Sequence, residues 1–137
     1  MPNQFNYGTD RLTVATAIAI ASGKLKGILN AETIKKIKLS QQHVEAIVAN
    51  SKTVYGINTG FGILSNTHIS AEDTATLQHK LLESHSVGVG DPIPVEIAKI
   101  MLITKVQSLA QGYSGVKLAT VERILWHIEN DVIPVVP

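Results

Sequence analysis

The chain has no cysteine, so disulfides and thiolate chemistry are excluded, and a cytoplasmic location is the expectation that goes with that composition. It also lacks an imbalance of charge. Twelve basic and eleven acidic residues leave a net charge of +1, which gives no electrostatic footprint for nucleic acid. Like charges nowhere form a block long enough for an interaction tail. Long hydrophobic runs are missing too: the apolar stretch Val14-Ala15-Thr16-Ala17-Ile18-Ala19-Ile20 is bounded by Asp10, Arg11 and Lys24, well short of the ~20 residues needed to cross a bilayer. The opening Met1-Pro2-Asn3-Gln4-Phe5 lacks the basic region of a secretory signal. There is no internal repeat and no low-complexity linker. What is present in excess is apolar character. Hydrophobic residues make up 45% and charged residues only 17% of the 137 positions. Mean hydropathy is +0.17. Residues 1–137 are expected to form a single domain with a real core, and the surplus apolar surface is expected to pack against further protein.

Hydrophobic periodicity predicts a mainly α chain with short extended segments near its front. Thr13 is placed to cap a helix over about Val14 to Ser22, with Gly23 as its C-terminal glycine. Lys26-Gly27-Ile28-Leu29 reads as extended, and Asn30 as the cap of the next helix. From Ala31 to Ala49 the apolar positions Ile34, Ile37, Val44, Ile47 and Val48 suit one or two amphipathic helices, with a possible break near Leu39-Ser40. Ser70-Ala71-Glu72-Asp73 opens a helix carrying Leu77, Leu81 and Leu82 toward His85, ended by Gly88 and Gly90. Pro94 suits the first turn of a helix from Val95 to Gln111 that is apolar on most of its circumference, and is therefore expected to be buried in a bundle. The last helix, about Ala119 to Glu129, places Val121, Ile124, Leu125 and Ile128 on one stripe.

The chemistry-bearing segment is Val54-Tyr55-Gly56-Ile57-Asn58-Thr59-Gly60-Phe61-Gly62. Three glycines within seven residues let the backbone take φ > 0 or approach another group closely, and Asn58 tolerates the same conformations. Tyr55 brings a phenol of ordinary pKa about 10, which serves as a base near neutrality only when positive charge or hydrogen bonding lowers it. From spacing alone, a connection whose Tyr55 and Phe61 pack on the domain is the simpler reading. A phosphate cradle is disfavoured, because Phe61-Gly62-Ile63 stands where a Walker-type loop needs Gly-Lys-Ser/Thr.

Taken with Leu82-Glu83-Ser84-His85-Ser86-Val87-Gly88-Val89-Gly90, this loop resembles the aromatic amino acid lyase family, and within it the branch that acts on histidine. Gly112-Tyr113-Ser114-Gly115-Val116 and Val132-Ile133-Pro134-Val135-Val136-Pro137 are similar to later landmarks of the family in the same order, so the resemblance covers nearly the whole chain. It implies an ammonia-lyase-like fold in which an N-terminal helical domain leads into long bundle helices, assembled as a homotetramer. It also implies a non-oxidative elimination, L-histidine to trans-urocanate and ammonia, that uses the electrophile 4-methylidene-imidazol-5-one. By resemblance, Tyr55 is the catalytic base at the β carbon. His85 contacts the substrate imidazole with Ser84 beside it, in the place where phenylalanine and tyrosine lyases carry other residues. Asn58 and Gly60 shape the pocket loop. The family builds its electrophile from an Ala-Ser-Gly triad shortly after the Val-Ile-Pro segment, and residues 1–137 stop before it. The chain is thus expected to supply part of an active site and to be inactive without the remainder of the lyase.

Ala21-Ser22-Gly23 has the letters of that triad in the wrong place, upstream of the tyrosine loop at the end of an apolar run, where Gly23 reads as an ordinary helix terminator. His79 and Glu83, four apart on a helix, are two candidate metal ligands and therefore not a site; no metal is expected. His43, His68 and His127 have no partner pattern, and Lys35, Lys36 and Lys38 read as the wet face of a helix. Two other functions stay open at this level. One is a tyrosine or phenylalanine lyase or aminomutase; the other is a stand-alone helical binding or assembly module that keeps the fold without the chemistry.

Overall fold

The computed structural model describes residues 4–50, 53–57, 59 and 71–137, with the side chains of residues 71, 72, 74 and 75 outside that description. The described elements are two short strands and five helices: β1 (Gln4–Asn6), α1 (Val14–Ala21), β2 (Lys26–Ile28), α2 (Ala31–Ala49), α3 (Ala71–His85), α4 (Val95–Leu109) and α5 (Leu118–Glu129). They fall into two compact units, Met1–Gln41 with Gly90–Pro137, and Gln42–Val89. The mainly α expectation holds.

In the first unit the chain makes a parallel pair, β1 with β2, in the register Gln4↔Lys26, Phe5↔Gly27 and Asn6↔Ile28. Tyr7 extends the ladder by donating its N–H to the Ile28 carbonyl at 2.9 Å. Helix α1 makes the crossover. Thr13 and Thr16 form a reciprocal capping box at its start. Its end follows the sequence reading, with Gly23 at φ +72°. Asn30 caps α2 as expected: its Oδ1 accepts the Thr33 N–H at 2.8 Å. Of the one or two helices that the sequence allows between Ala31 and Ala49, the structure has one: α2 runs for 19 residues with no break at Leu39-Ser40. The Ser40 hydroxyl accepts the Gly115 N–H at 3.0 Å, so it is engaged outside the helix rather than competing with it.

Helix α4 is the centre of this unit, touching both α1 and α5. Its Ile103, Val106 and Leu109 join Phe5, Tyr7, Ile20, Ile37, Val121 and Ile128 in one buried cluster. The α5 stripe behaves as its spacing predicts, with Val121 and Ile128 buried and Ile124 and Leu125 packed against the cluster. Complete burial of α4 is not observed, because Val95, Ile97 and Met101 remain exposed on its other side. Gln107 secures the turn after β1: its Oε1 accepts the Gly8 N–H at 3.1 Å, and its Nε2 donates to the Asp10 carbonyl at 3.0 Å. The Thr33 hydroxyl adds a buried donation to the Tyr7 carbonyl at 2.8 Å.

The second unit holds the end of α2, the turn at residues 54–57 and helix α3. These last two elements carry the candidate chemistry.

Candidate active site

Tyr55 sits in a tight turn closed by the Ile57 N–H donating to the Val54 carbonyl at 3.1 Å. The turn requires a positive φ at its third position. Gly56 supplies it at +77°, where an L side chain would be strained. The glycine therefore sets the backbone and the tyrosine beside it is displayed: Tyr55 is 64% exposed, so its phenol can reach a ligand. Asn58 and Gly60, expected to shape this loop, lie outside the described residues.

Ser84 and His85 close α3. The His85 Nδ1 lies 2.9 Å from the Leu81 carbonyl and 2.9 Å from the Ser84 Oγ. Ser84 Oγ itself donates to that same carbonyl at 3.1 Å. The two side chains expected to recognise the substrate are thus joined by a common acceptor at a helix C-terminus, and both are exposed. Tyr55 is positioned by a separate device, the 54–57 turn.

His79 and Glu83 are both exposed on α3. Among the described residues no group of three or more histidine, cysteine, aspartate or glutamate side chains is arranged to hold a metal. Ala21-Ser22-Gly23 does not fit the electrophile: it is the ordinary last turn of α1, with Ser22 Oγ on the Ala19 carbonyl at 3.2 Å and Gly23 N–H on the Ile20 carbonyl at 3.0 Å.

Sequence reading passed over Tyr7, because nothing in its spacing marks it. The structure places it on the wall of a cavity of about 470 Å³ in the first unit, together with Ile20, Lys26, Lys99, Ile128 and Glu129. Its hydroxyl is buried with no hydrogen-bond partner among the described residues. Burial first, and the negative charge of Glu129 second, hold the phenol well above its usual pKa. Among the described residues, none of the lyase motifs lines this cavity.

The family model for aromatic amino acid lyase matches residues 12–137. The chain is similar to the histidine ammonia-lyase of Paracidovorax citrulli, 44% identical over 127 residues that cover 93% of this chain and 25% of that protein. The histidine ammonia-lyase of Streptococcus sanguinis is 37% identical over 137 residues, covering 100% of this chain and 27% of its own length. Among solved structures, histidine ammonia-lyase from Trypanosoma cruzi superposes with a TM-score of 0.80 at 32% identity, over 91% of this chain and 24% of that one. The chain therefore spans about a quarter of the length of the curated relatives it matches.

Proposed function

Because the chain belongs to the aromatic amino acid lyase family, we propose that residues 1–137 act as the N-terminal domain of a histidine ammonia-lyase, converting L-histidine to trans-urocanate and ammonia. The observation that carries the choice of substrate is the Ser84–His85 pair, linked at 2.9 Å and exposed at the end of α3. An imidazole partner there suits a ligand whose own ring is an imidazole. Similarity to histidine ammonia-lyases at 37% and 44% identity supports the same choice over tyrosine or phenylalanine as substrate.

In this reading Tyr55 takes the β proton. The proton is barely acidic, so the base has to be aimed at it and paired with an electrophile that makes the amine a better leaving group. In these enzymes 4-methylidene-imidazol-5-one supplies that activation, and here it would come from outside residues 1–137. His85 holds the ring and so orients the β carbon toward Tyr55, while Asn58 and Gly60 shape the loop. The enzyme would be a cytoplasmic homotetramer, and this chain would act only with the rest of the lyase. Among the described residues no helix is long and apolar enough to cross a membrane.

The test is absorbance-detected urocanate formation from L-histidine, by this chain alone and by the chain mixed with the remaining three quarters of a relative. Activity confined to the mixture is expected. An assembled but silent mixture would favour a helical binding module that has kept the fold and lost the chemistry.

A further inference from the structure

A carbonyl oxygen can only accept a hydrogen bond. The 2.9 Å contact between His85 Nδ1 and the Leu81 carbonyl therefore requires a proton on Nδ1. The second contact agrees with this. Ser84 Oγ donates its own proton to the same carbonyl at 3.1 Å, which leaves its lone pairs to share the one Nδ1–H with that carbonyl, at 2.9 Å, in a three-centre bond. The position adds a further bias, since His85 ends α3, where the carbonyls carry partial negative charge and favour N–H donors. In the neutral ring the proton is then absent from Nε2, which offers a lone pair.

We propose that the end of α3 fixes His85 in its Nδ1–H tautomer, so that Nε2 is presented to the ligand as a hydrogen-bond acceptor, with Ser84 as the positioning residue. Resting on the histidine-lyase reading, this narrows the substrate class. The ligand ring has to supply a hydrogen-bond donor toward Nε2, as the N–H of neutral imidazole does. A ring of the same size with only acceptor atoms meets lone pair with lone pair and is rejected. This gives Ser84 a function of its own, separate from contact with substrate: it occupies Nδ1 and keeps the proton there.

Two measurements test the inference separately from the reading beneath it. In the first, the full chain carries ¹⁵N-labelled histidine, and two-bond proton–nitrogen spectra are recorded, with His85 assigned by the signal lost in His85→Gln. A protonated-type Nδ1 and a bare Nε2 are expected. Ser84→Ala, which leaves the Leu81 carbonyl as the remaining acceptor on Nδ1, is expected to raise the share of the other tautomer without abolishing the first, and Ser84→Thr to restore it; the residue is exposed, so both variants should fold. A ring protonated at Nε2 in the unsubstituted chain overturns the proposal, and a tautomer unchanged in Ser84→Ala removes Ser84 from it. In the second, 3-(thiazol-4-yl)alanine, which has no ring N–H, competes with L-histidine in the assembled lyase and is expected to bind at least ~10-fold more weakly. Equal binding overturns the acceptor role while leaving the lyase reading intact. Failure to turn over histidine, with the Nδ1–H tautomer present, overturns the lyase reading instead.

Discussion

Tyr55, marked by the sequence, and Tyr7, marked by the structure, sit in opposite settings, and each setting prescribes a different experiment. Tyr55 is displayed on a glycine-dependent turn. If it is the base, Tyr55→Phe in the assembled lyase should lower turnover by ~100-fold or more, the usual scale for a lost acid–base group, with little change in the far-UV circular dichroism spectrum. Full retained activity would remove it from that role. Tyr7 is buried, with its phenol pKa raised and its hydroxyl without a partner among the described residues. An acid whose pKa is raised on folding stabilises the fold fully below the unfolded value of about 10. That contribution is lost as pH climbs from there toward the folded value. Denaturant midpoints should therefore decline above about pH 10 in the parent, and less steeply in Tyr7→Phe. At neutral pH the same substitution should be neutral or stabilising by up to ~1 kcal/mol, because no hydrogen bond is lost. A marked loss of stability in Tyr7→Phe at neutral pH would show that the hydroxyl has a partner.

At the scale of elements, what could be read in advance depended on whether the determining interaction was local. The Thr13 cap of α1, Gly23 beyond it and Asn30 before α2 act over three or four residues, and all were legible; the reciprocal bond from Thr16 that completes the capping box was not. Asn30→Ala should accordingly cost about 1 kcal/mol in a urea titration, the usual worth of a side-chain cap. An unchanged midpoint would mean that α2 is held wholly by packing. Strand β1 was not legible, because it is three residues long and exists by pairing with residues more than twenty positions away. Gly27 belongs with it: a Cβ there would overlap the Tyr7 ring, a constraint that no local pattern announces. The partner of Ser40 within the unbroken α2 was likewise not legible, because the Gly115 N–H reaches its hydroxyl from far along the chain. In the candidate site the same division holds. Resemblance pointed to Ser84 and His85, but their common acceptor, the Leu81 carbonyl, emerges only once the helix is built.

For the molecule as a whole, the apolar surplus in the composition reappears as a surface. On α1, Val14 is 78% and Ile18 53% exposed; on α4, which touches α1, Val95, Ile97 and Met101 are 60%, 48% and 48% exposed. A groove of about 550 Å³ lies along these helices, with Ile18, Val95 and Ile100 in its walls. Burying such side chains is worth roughly 25 cal/mol per Å² of apolar area, and a chain that leaves them wet has a standing incentive to associate. In the proposed lyase that incentive is met by the remaining polypeptide and by other subunits. The isolated chain should therefore self-associate as its concentration rises in sedimentation velocity. The double variant Ile18→Lys/Met101→Lys should stay monomeric over the same range with an unchanged circular dichroism spectrum, because both side chains are already half in water and contribute little to the core. A parent chain that stays monomeric throughout would mean that this face is tolerated in solvent, and would take away the physical ground for assigning it to an interface.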